Sequence, residues 1–303
     1  MTRVKRERSR KHAMDALSSS PLIPTSCIAN DLIDARRSPS DAAASDDAAS
    51  GMPPTAREWR HFTASSDGTR IECLITDFPR AEDEKRARED WFILVHAHPK
   101  LGGCRQMMLP LARSLAARGH GSVCVALRGT SESLGSSTWR GSEAEGEDVL
   151  AACALAANGT LAGANANARC HLVGYSYGGT ICGYALKRKH PNVASYIAIG
   201  YPRGSYGCGL YGVGAKWLMR DHFDALAESE TPKLFIHPER DEFTTVKTME
   251  TLVEEKLERG VRELRVLKGA DHFSAATDAR VVEQTVDWIL EFVARCARRE
   301  DSS

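Results

Sequence analysis

The chain has 303 residues, of which 42% are hydrophobic and 26% are charged, as is usual for a globular protein. Its 40 basic and 40 acidic residues balance, so the net charge gives no reason to expect binding to nucleic acid or to an acidic membrane surface. No stretch has the roughly 18 to 20 consecutive apolar residues that would insert it stably in a bilayer, and the charged N-terminus lacks the apolar core of a secretory signal.

The first 55 residues differ in composition from the rest of the chain. A basic cluster is followed by Ser, Ala, Asp and Pro, with few residues that could be buried, and such a composition favours a disordered tail. Two alternatives remain open: a regulated tail in which Ser38 accepts phosphate, and an organelle transit peptide, against which Glu7 and Asp15 argue. We therefore predict a disordered tail over residues 1–55 and a folded domain over residues 56–298.

Within the folded domain, short apolar runs alternate with helical patterns. The runs predicted as strands are 58–63, 70–77, 91–98, 122–127, 170–175, 193–200, 233–238 and 261–267. Helices are predicted after the third strand, over 143–157, 177–189 and 244–258, and at the C-terminus. This alternation predicts a mostly parallel, eight-stranded sheet with helices on both faces. Residues 201–230 break the rhythm, and their Gly and Tyr content predicts a short, irregular, lid-like excursion.

The nine cysteines are scattered and include no C-x-x-C pair. Neither a zinc site nor a disulfide framework is therefore indicated. Several of these cysteines lie in apolar runs, where a thiol behaves as a small buried hydrophobe. This usage predicts a reducing compartment, the cytoplasm.

A G-x-S-x-G pentapeptide follows the fifth predicted strand and precedes a predicted helix: Gly174-Tyr175-Ser176-Tyr177-Gly178. In that context the pattern is typical of a nucleophile elbow, a sharp turn that holds the serine in a strained backbone conformation. The turn would also direct the amide of Tyr177 toward an oxyanion. The alternative is a glycine-rich turn whose serine merely caps the helix.

A serine hydroxyl needs a base that removes its proton and an acid that orients the base. His272 lies between the last predicted strand and the final helix, and we predict that it is the base. Asp241 follows the seventh predicted strand, at the sheet edge where α/β active sites lie, and is the predicted acid. Glu239 and Glu242 could substitute for it, whereas Asp271 adjoins the histidine and is poorly placed to orient it.

The loop after the third predicted strand should supply a second oxyanion donor. Its sequence is His96-Ala97-His98-Pro99-Lys100-Leu101-Gly102-Gly103. Pro99 has no amide hydrogen, so we predict the amide of Lys100 as the donor, with Leu101 as an alternative. The two histidines could also bind a metal, but no third ligand lies nearby. We therefore predict neither a metal nor a cofactor.

Together these motifs resemble the α/β-hydrolase superfamily over about residues 57–298, and most closely the small hydrolases related to dienelactone hydrolases and serine aminopeptidase-like domains. That group carries H-P-H-P-x-x-G-G, R-G-x-x-x-S-x-G, G-F-S-F-G and G-A-D-H-F, which correspond to 96–103, 128–135, 174–178 and 269–273. Two departures are Ala97, where the group has Pro, and Pro238, where it usually has Gly. Pro238 would stiffen the loop that carries Asp241.

The resemblance implies an α/β-hydrolase fold and hydrolysis of a small acyl substrate through an acyl-enzyme on Ser176. It favours a carboxylic ester, then a thioester, then a peptide bond, and it does not identify the substrate. A non-catalytic ligand-binding protein with this fold and an acyltransferase are the alternatives. Tyr201, Tyr206, Tyr211 and Trp217 are candidates for lining the acyl pocket, with ordinary packing of the excursion as the open alternative.

Overall fold

The computed structural model describes residues 56–77, 88–159, 161, 164–203, 220–257 and 259–300. The predicted N-terminal tail, including Ser38, lies outside the described residues. The same holds for most of the predicted excursion, since residues 204–219 are not described.

Eight strands in the described residues form one open sheet. They are β1 (Arg57–Ala64), β2 (Arg70–Asp77), β3 (Arg88–Val95), β4 (Gly121–Val125), β5 (Ala164–Tyr175), β6 (Val193–Ile199), β7 (Lys233–Pro238) and β8 (Arg262–Leu267). The order across the sheet is β1-β2-β4-β3-β5-β6-β7-β8. Strand β2 is antiparallel to both of its neighbours, and all other pairs are parallel. The predicted mostly parallel, eight-stranded sheet is confirmed.

Helices cover both faces of this sheet. They are α1 (Leu109–Ala117), α2 (Glu143–Ala157), α3 (Tyr177–Leu186), α4 (Arg220–Glu228), α5 (Val246–Thr251), α6 (Ser274–Thr277) and α7 (Ala279–Glu300). One apolar cluster joins the sheet to α2, α3, α4 and α5, and a second joins the opposite face to α1, α6 and α7. Along β3, Trp91 and Ile93 enter the first cluster while Phe92 and Leu94 enter the second, as period-2 alternation requires. None of the helices in the described ranges is long and apolar enough to cross a membrane.

The third strand is shifted by three residues from the prediction: it runs from Arg88 to Val95 rather than over 91–98, and residues 96–98 leave the sheet. The buried ring of His96 accepts a hydrogen bond from the backbone amide of Leu127 at 3.2 Å and contacts the carbonyl of Ala97 at 2.7 Å. A 3-10 turn over Pro99–Leu101 follows. The apolar run continued past the strand because a buried turn is as apolar as a buried strand.

The prediction of an irregular segment is wrong for residues 220–228, which form α4. Leu226 is fully buried, and Phe223 and Ala227 pack against the same cluster. Their i, i+3, i+4 spacing is the ordinary signature of an amphipathic helix. The sequence contains this spacing, but it directly follows a Gly- and Tyr-rich stretch whose composition favours an irregular segment.

Candidate active site

Ser176 lies in the sharp turn between the last residue of β5 and the first residue of α3. Its backbone has φ 53° and ψ −120°, a region that residues other than glycine rarely occupy. The turn is held to the sheet by a 2.8 Å hydrogen bond from the Ser176 amide to the carbonyl of Ile199. The side chain is partly exposed, so the hydroxyl is accessible at the carboxyl end of the central strand.

Two glycines allow β5 and α3 to approach each other at this turn. A Cβ added to Gly174 would lie 2.3 Å from backbone atoms of Gly178 and Gly179. A Cβ added to Gly178 would lie 2.2 Å from the carbonyl oxygen of Val95 on β3. Real Cβ atoms do not approach backbone so closely, so this elbow geometry requires glycine at both positions.

His272 lies between the hydroxyl of Ser176 and the carboxylate of Asp241. Its Nε2 is 3.0 Å from Ser176 Oγ, and its Nδ1 is 2.6 Å from Asp241 Oδ2. With the Nδ1–H donating to the carboxylate, Nε2 is left as the acceptor for the serine hydroxyl. The structure therefore brings together the three side chains predicted as nucleophile, base and acid, in the arrangement that acyl transfer requires.

Asp241 is buried and ionised. Its Oδ1 accepts hydrogen bonds from the amides of Phe243 and Thr244, both at 2.8 Å, while Oδ2 faces His272. Burial raises the pKa of the Asp241 carboxyl. The hydrogen bond and charge of His272, with smaller contributions from His237 and the Phe243 amide, lower this pKa by more, so that it lies below its ordinary value. The carboxylate is thus held charged against the imidazole.

Pro238 does not displace Asp241. It occupies the last position of β7, opposite Leu267 of β8, and its carbonyl accepts a 3.3 Å hydrogen bond from the Asp241 amide. The amide of the next residue, Glu239, donates to the Leu267 carbonyl at 3.0 Å, so the pairing with β8 continues past Pro238. Proline is tolerated at the end of a strand because the missing donor is no longer needed there.

The other acids near the site have different partners. Glu239 accepts hydrogen bonds from Lys268 Nζ and the Gly269 amide, and Asp271 accepts from the amide and hydroxyl of Ser274. Glu242 accepts from the backbone amide of His272 at 3.1 Å. It therefore supports the histidine loop but does not contact the imidazole nitrogens.

Sequence reasoning missed the residues that enclose His272. The hydroxyl of Tyr175 donates to the His272 carbonyl at 3.0 Å, and the Phe243 ring stands edge-on to the imidazole with centroids 4.5 Å apart. Gly200, with φ +59°, passes so close that an added Cβ would lie 3.1 Å from the imidazole Cε1. A glycine directly after an apolar strand was the only signal, and it did not identify the histidine as its neighbour.

The loop after β3 does not present the Lys100 amide as predicted. That amide donates to Nδ1 of His98 at 3.1 Å, and the Leu101 amide donates to the His98 carbonyl at 3.0 Å. Both predicted donors thus already have acceptors within the 3-10 turn, so this geometry gives no support to either as an oxyanion ligand. The reason is that the His98 side chain caps the turn, which the sequence pattern did not reveal.

Tyr177, the other predicted oxyanion donor, is the first residue of α3, where backbone amides lack an intrahelical acceptor.

The two histidines of the same loop are neutral in this arrangement. Burial lowers the pKa of His96 to about 4 and also lowers the pKa of His98. Each ring has both nitrogens within hydrogen-bonding distance of the backbone: Leu127 and Ala97 for His96, and Lys100 and Trp139 for His98. In the part of the chain that the structure describes, no group of three or more His, Cys, Asp or Glu is arranged to hold a metal.

Tyr177 is anchored by a buried carboxylate. Its hydroxyl donates to Glu145 Oε1 at 2.6 Å, and Glu145 Oε2 accepts from Thr138 and Ser142 at 3.0 and 2.9 Å. Its ring lies against His98 with centroids 4.3 Å apart. The residue that follows the serine is therefore fixed to both α2 and the loop after β3.

The R-G-x-x-x-S-x-G segment, residues 128–135, makes its contacts within the scaffold. Arg128 forms a bidentate ion pair with the fully buried Asp148, at 2.7 and 3.0 Å. Ser133 donates to the Ala126 carbonyl and accepts from the Glu72 amide. This segment ties β2, β4 and α2 together.

Tyr201 does not line an open acyl pocket. It is 2% exposed, and its hydroxyl lies 2.7 Å from Nε2 of His222 on α4. Of the two alternatives for Tyr201, the structure agrees with ordinary packing, because its ring lies in the apolar cluster that also contains Leu226 of α4. Tyr206, Tyr211 and Trp217 lie outside the described residues.

A second Ser–His–Asp set lies at the opposite end of the sheet and offers a contrast. His171 Nδ1 is 2.8 Å from Ser195 Oγ, and its Nε2 is 2.9 Å from Asp90 Oδ1. Ser195 is 1% exposed and lies within β6. With no elbow and no access, this set is a buried structural network, and the comparison shows that the strained turn and accessibility distinguish Ser176.

One protein family matches most of the chain. The model described as X-Pro dipeptidyl-peptidase (S15 family) matches residues 37–291, a range that includes Ser176, Asp241 and His272. No curated protein matches the chain.

Several solved structures share the fold. An α/β serine hydrolase homologue from Coxiella burnetii is 19% identical with a TM-score of 0.56, covering 78% of this chain and 96% of the other. An esterase from Pyrococcus furiosus is 15% identical with a TM-score of 0.61, covering 84% and 95%. An esterase from Exiguobacterium antarcticum is 15% identical with a TM-score of 0.57, covering 78% and 100%. The predicted α/β-hydrolase fold is confirmed.

Proposed function

The chain belongs to the X-Pro dipeptidyl-peptidase (S15) family, and we propose that it is a serine hydrolase. We propose further that its substrate is a carboxylic ester of a small acyl group. One observation carries the proposal: His272 bridges Ser176 and Asp241 with contacts of 3.0 and 2.6 Å. A strained, accessible serine next to an oriented base is the arrangement that activates a hydroxyl for attack on a carbonyl carbon.

In the acylation step, His272 Nε2 accepts the proton of Ser176 as Oγ forms a bond to the carbonyl carbon. The carbonyl electron pair moves to oxygen, where the Tyr177 amide stabilises the resulting oxyanion. Asp241 remains ionised and holds the imidazolium in place. The carbon–leaving-group bond then breaks, and the leaving oxygen takes the proton from His272, which yields an acyl-enzyme and a free alcohol.

In the deacylation step, His272 Nε2 removes a proton from water as the water oxygen attacks the acyl carbon. Collapse of the second oxyanion breaks the bond to Ser176 Oγ, and the imidazolium returns its proton to the serine. The products are a carboxylic acid and the regenerated hydroxyl. Every proton transfer in this cycle passes through His272 Nε2.

The family description favours a second candidate, release of an N-terminal dipeptide that ends in proline. The same Ser176, His272 and Asp241 would act, with an amine in place of the alcohol as leaving group. A panel of p-nitrophenyl esters, an acyl thioester and an aminoacyl-proline p-nitroanilide separates the two. Higher kcat/KM on the anilide than on every ester would favour the peptidase.

Ser176→Ala tests the shared chemistry. We expect loss of at least about 10³-fold in kcat, since nucleophile removal typically costs more than this, with an unchanged circular dichroism spectrum. The wild-type chain should react with a fluorophosphonate at Ser176. A folded wild-type protein that neither reacts nor turns over any panel member would favour the non-catalytic binding protein. Transfer products formed with added alcohols or thiols would favour an acyltransferase.

We also propose that the enzyme works in the cytoplasm. Six buried cysteines of the described residues are free thiols: Cys73, Cys124, Cys153, Cys170, Cys182 and Cys296. Free thiols are usual where the environment is reducing.

A further inference from the structure

A row of three aromatic rings leads from the catalytic turn to the protein surface. Tyr177, next to Ser176, lies against His98 with ring centroids 4.3 Å apart. His98 lies against Trp139 with centroids 5.0 Å apart, and its Nε2 contacts the Trp139 carbonyl at 3.4 Å. The row ends in an indole that is 48% exposed, although the preceding ring, His98, is buried.

Two exposed apolar residues lie beside His98. Among the described residues, four large hydrophobic side chains are exposed: Phe62, Leu101, Leu134 and Trp139. Leu101 and Trp139 both flank His98, because the Leu101 amide donates to the His98 carbonyl and Trp139 contacts its ring. Large apolar groups left exposed beside a reactive group are typical of a surface that receives an apolar ligand.

The topology indicates which part of a substrate reaches these side chains. Ser176 follows β5. On one side of β5 in the sheet order lie β7, which Asp241 follows, and β8, which His272 follows. His98 and Leu101 follow β3, and Trp139 follows β4, on the other side. The leaving group must lie at His272, which donates the proton to it. The β3 and β4 side, opposite the leaving group, is then open to the acyl substituent.

We propose that Trp139 and Leu101, here called the Trp139 platform, bind the acyl chain and select acyl groups with an apolar chain, such as hexanoyl, over acetyl. This inference rests on the proposed function, since it divides the substrate into acyl and leaving groups. The indole face and the leucine side chain exclude water from the methylene groups of the acyl chain, and burial of such groups is favourable. An acetyl group has no methylene group to bury there and therefore serves as the reference substrate.

The test compares p-nitrophenyl hexanoate with p-nitrophenyl acetate, so that the leaving group is constant. In Trp139→Ala we expect the ratio of kcat/KM for hexanoate over acetate to fall at least tenfold. Leu101→Asn should lower the same ratio.

Phe62→Ala is the matched control, because Phe62 is 39% exposed on the edge strand β1 and is covered by Arg70. Its ratio should stay within twofold of wild type. An unchanged ratio in Trp139→Ala, or an equal fall in Phe62→Ala, would overturn the platform.

A binding measurement separates failure of the platform from failure of the proposed function. Calorimetry with p-nitrophenyl hexanoate would compare Ser176→Ala with the double variant Ser176→Ala/Trp139→Ala. We expect at least tenfold weaker binding in the double variant. If that difference appears although the wild type hydrolyses no ester, the hydrolase proposal fails and the platform stands. Equal binding by the two proteins, in an active esterase, would reject the platform alone.

Discussion

Ser176 occupies a backbone region that costs a non-glycine residue about 1–3 kcal/mol, so the surrounding structure must enforce it. The enforcement is visible in Gly174 and Gly178, which let helix and strand approach within distances that any side chain would prevent. The hydrogen bond from the Ser176 amide to Ile199 adds a third restraint. The strain directs the hydroxyl out of the sheet and toward His272.

Gly178→Ala should therefore damage stability and activity together. Its Cβ would lie 2.2 Å from the Val95 carbonyl oxygen, so strand and helix must separate. We expect a loss of more than about 2 kcal/mol in the free energy of unfolding, as is usual for overpacking of a tight contact. Gly68→Ala is the control, because Gly68 has φ +80° but no atom within 4 Å of an added Cβ. Urea unfolding that ranks Gly68→Ala as equally destabilising would contradict the steric argument.

Asp241→Asn tests the orienting role of the carboxylate. An amide can donate to Nδ1 and so favour the wrong imidazole tautomer, which lowers kcat by about 10⁴-fold in the serine proteases that define this arrangement. We expect a loss of about 10³- to 10⁴-fold in kcat with little change in KM. Glu239→Gln should retain kcat within twofold, because Glu239 faces Lys268 and Gly269. The reverse ranking in steady-state assays would show that the acid is misassigned.

At the scale of secondary structure, the sequence predicted well what depends on apolar runs and badly what depends on individual side-chain contacts. The inner strands could be located because a sheet covered on both faces needs continuous apolar segments, whereas β1 and β2 are indicated by the turn Ser66-Asp67-Gly68 between them. The exit from β3 could not, since His96 and His98 are buried and their hydrogen bonds to backbone, not their hydropathy, end the strand. In the same turn the Lys100 amide donates to His98, so the geometry gives no support to Lys100 as an oxyanion donor.

The contact between α2 and α3 links scaffold and site. Glu145 on α2 is fully buried and accepts a 2.6 Å hydrogen bond from Tyr177 on α3. The sequence showed Tyr177 in the elbow motif, but nothing indicated a buried glutamate from a helix 32 residues earlier. Such long-range polar pairs have no local pattern.

A double-mutant cycle on Tyr177→Phe and Glu145→Gln measures this link. Tyr177→Phe removes one donor from a buried carboxylate, and we expect a loss of about 1–3 kcal/mol in the free energy of unfolding. The coupling energy between the two changes should be about 0.5–3 kcal/mol, as for residues in one hydrogen-bond network. Additive effects in chemical denaturation would mean that the hydroxyl and the carboxylate contribute independently.

For the whole molecule, buried neutral histidines make the folded state sensitive to acid. His96 has a pKa of about 4 in the folded protein, because burial disfavours the charged ring, against an ordinary value near 6.5. As pH falls below 6.5, the unfolded chain binds a proton at this ring while the folded chain does not. The stability that His96 contributes is present above pH 6.5 and is lost progressively down to about pH 4.

The magnitude follows from the same two pKa values. Between pH 7.5 and pH 5 the contribution of His96 should decrease by about 2 kcal/mol. His96→Gln cannot bind a proton in this range, so its free energy of unfolding should decrease with acid by about 2 kcal/mol less than that of the wild type. The variant starts from a lower stability at pH 7.5, since the Leu127 amide loses the imidazole as its acceptor. The comparison therefore uses the difference between the two pH values for each protein, measured by urea unfolding with both circular dichroism and tryptophan fluorescence. If both proteins lost the same stability on acidification, the acid sensitivity would have to come from other groups, of which burial makes His98 and His237 the first to examine.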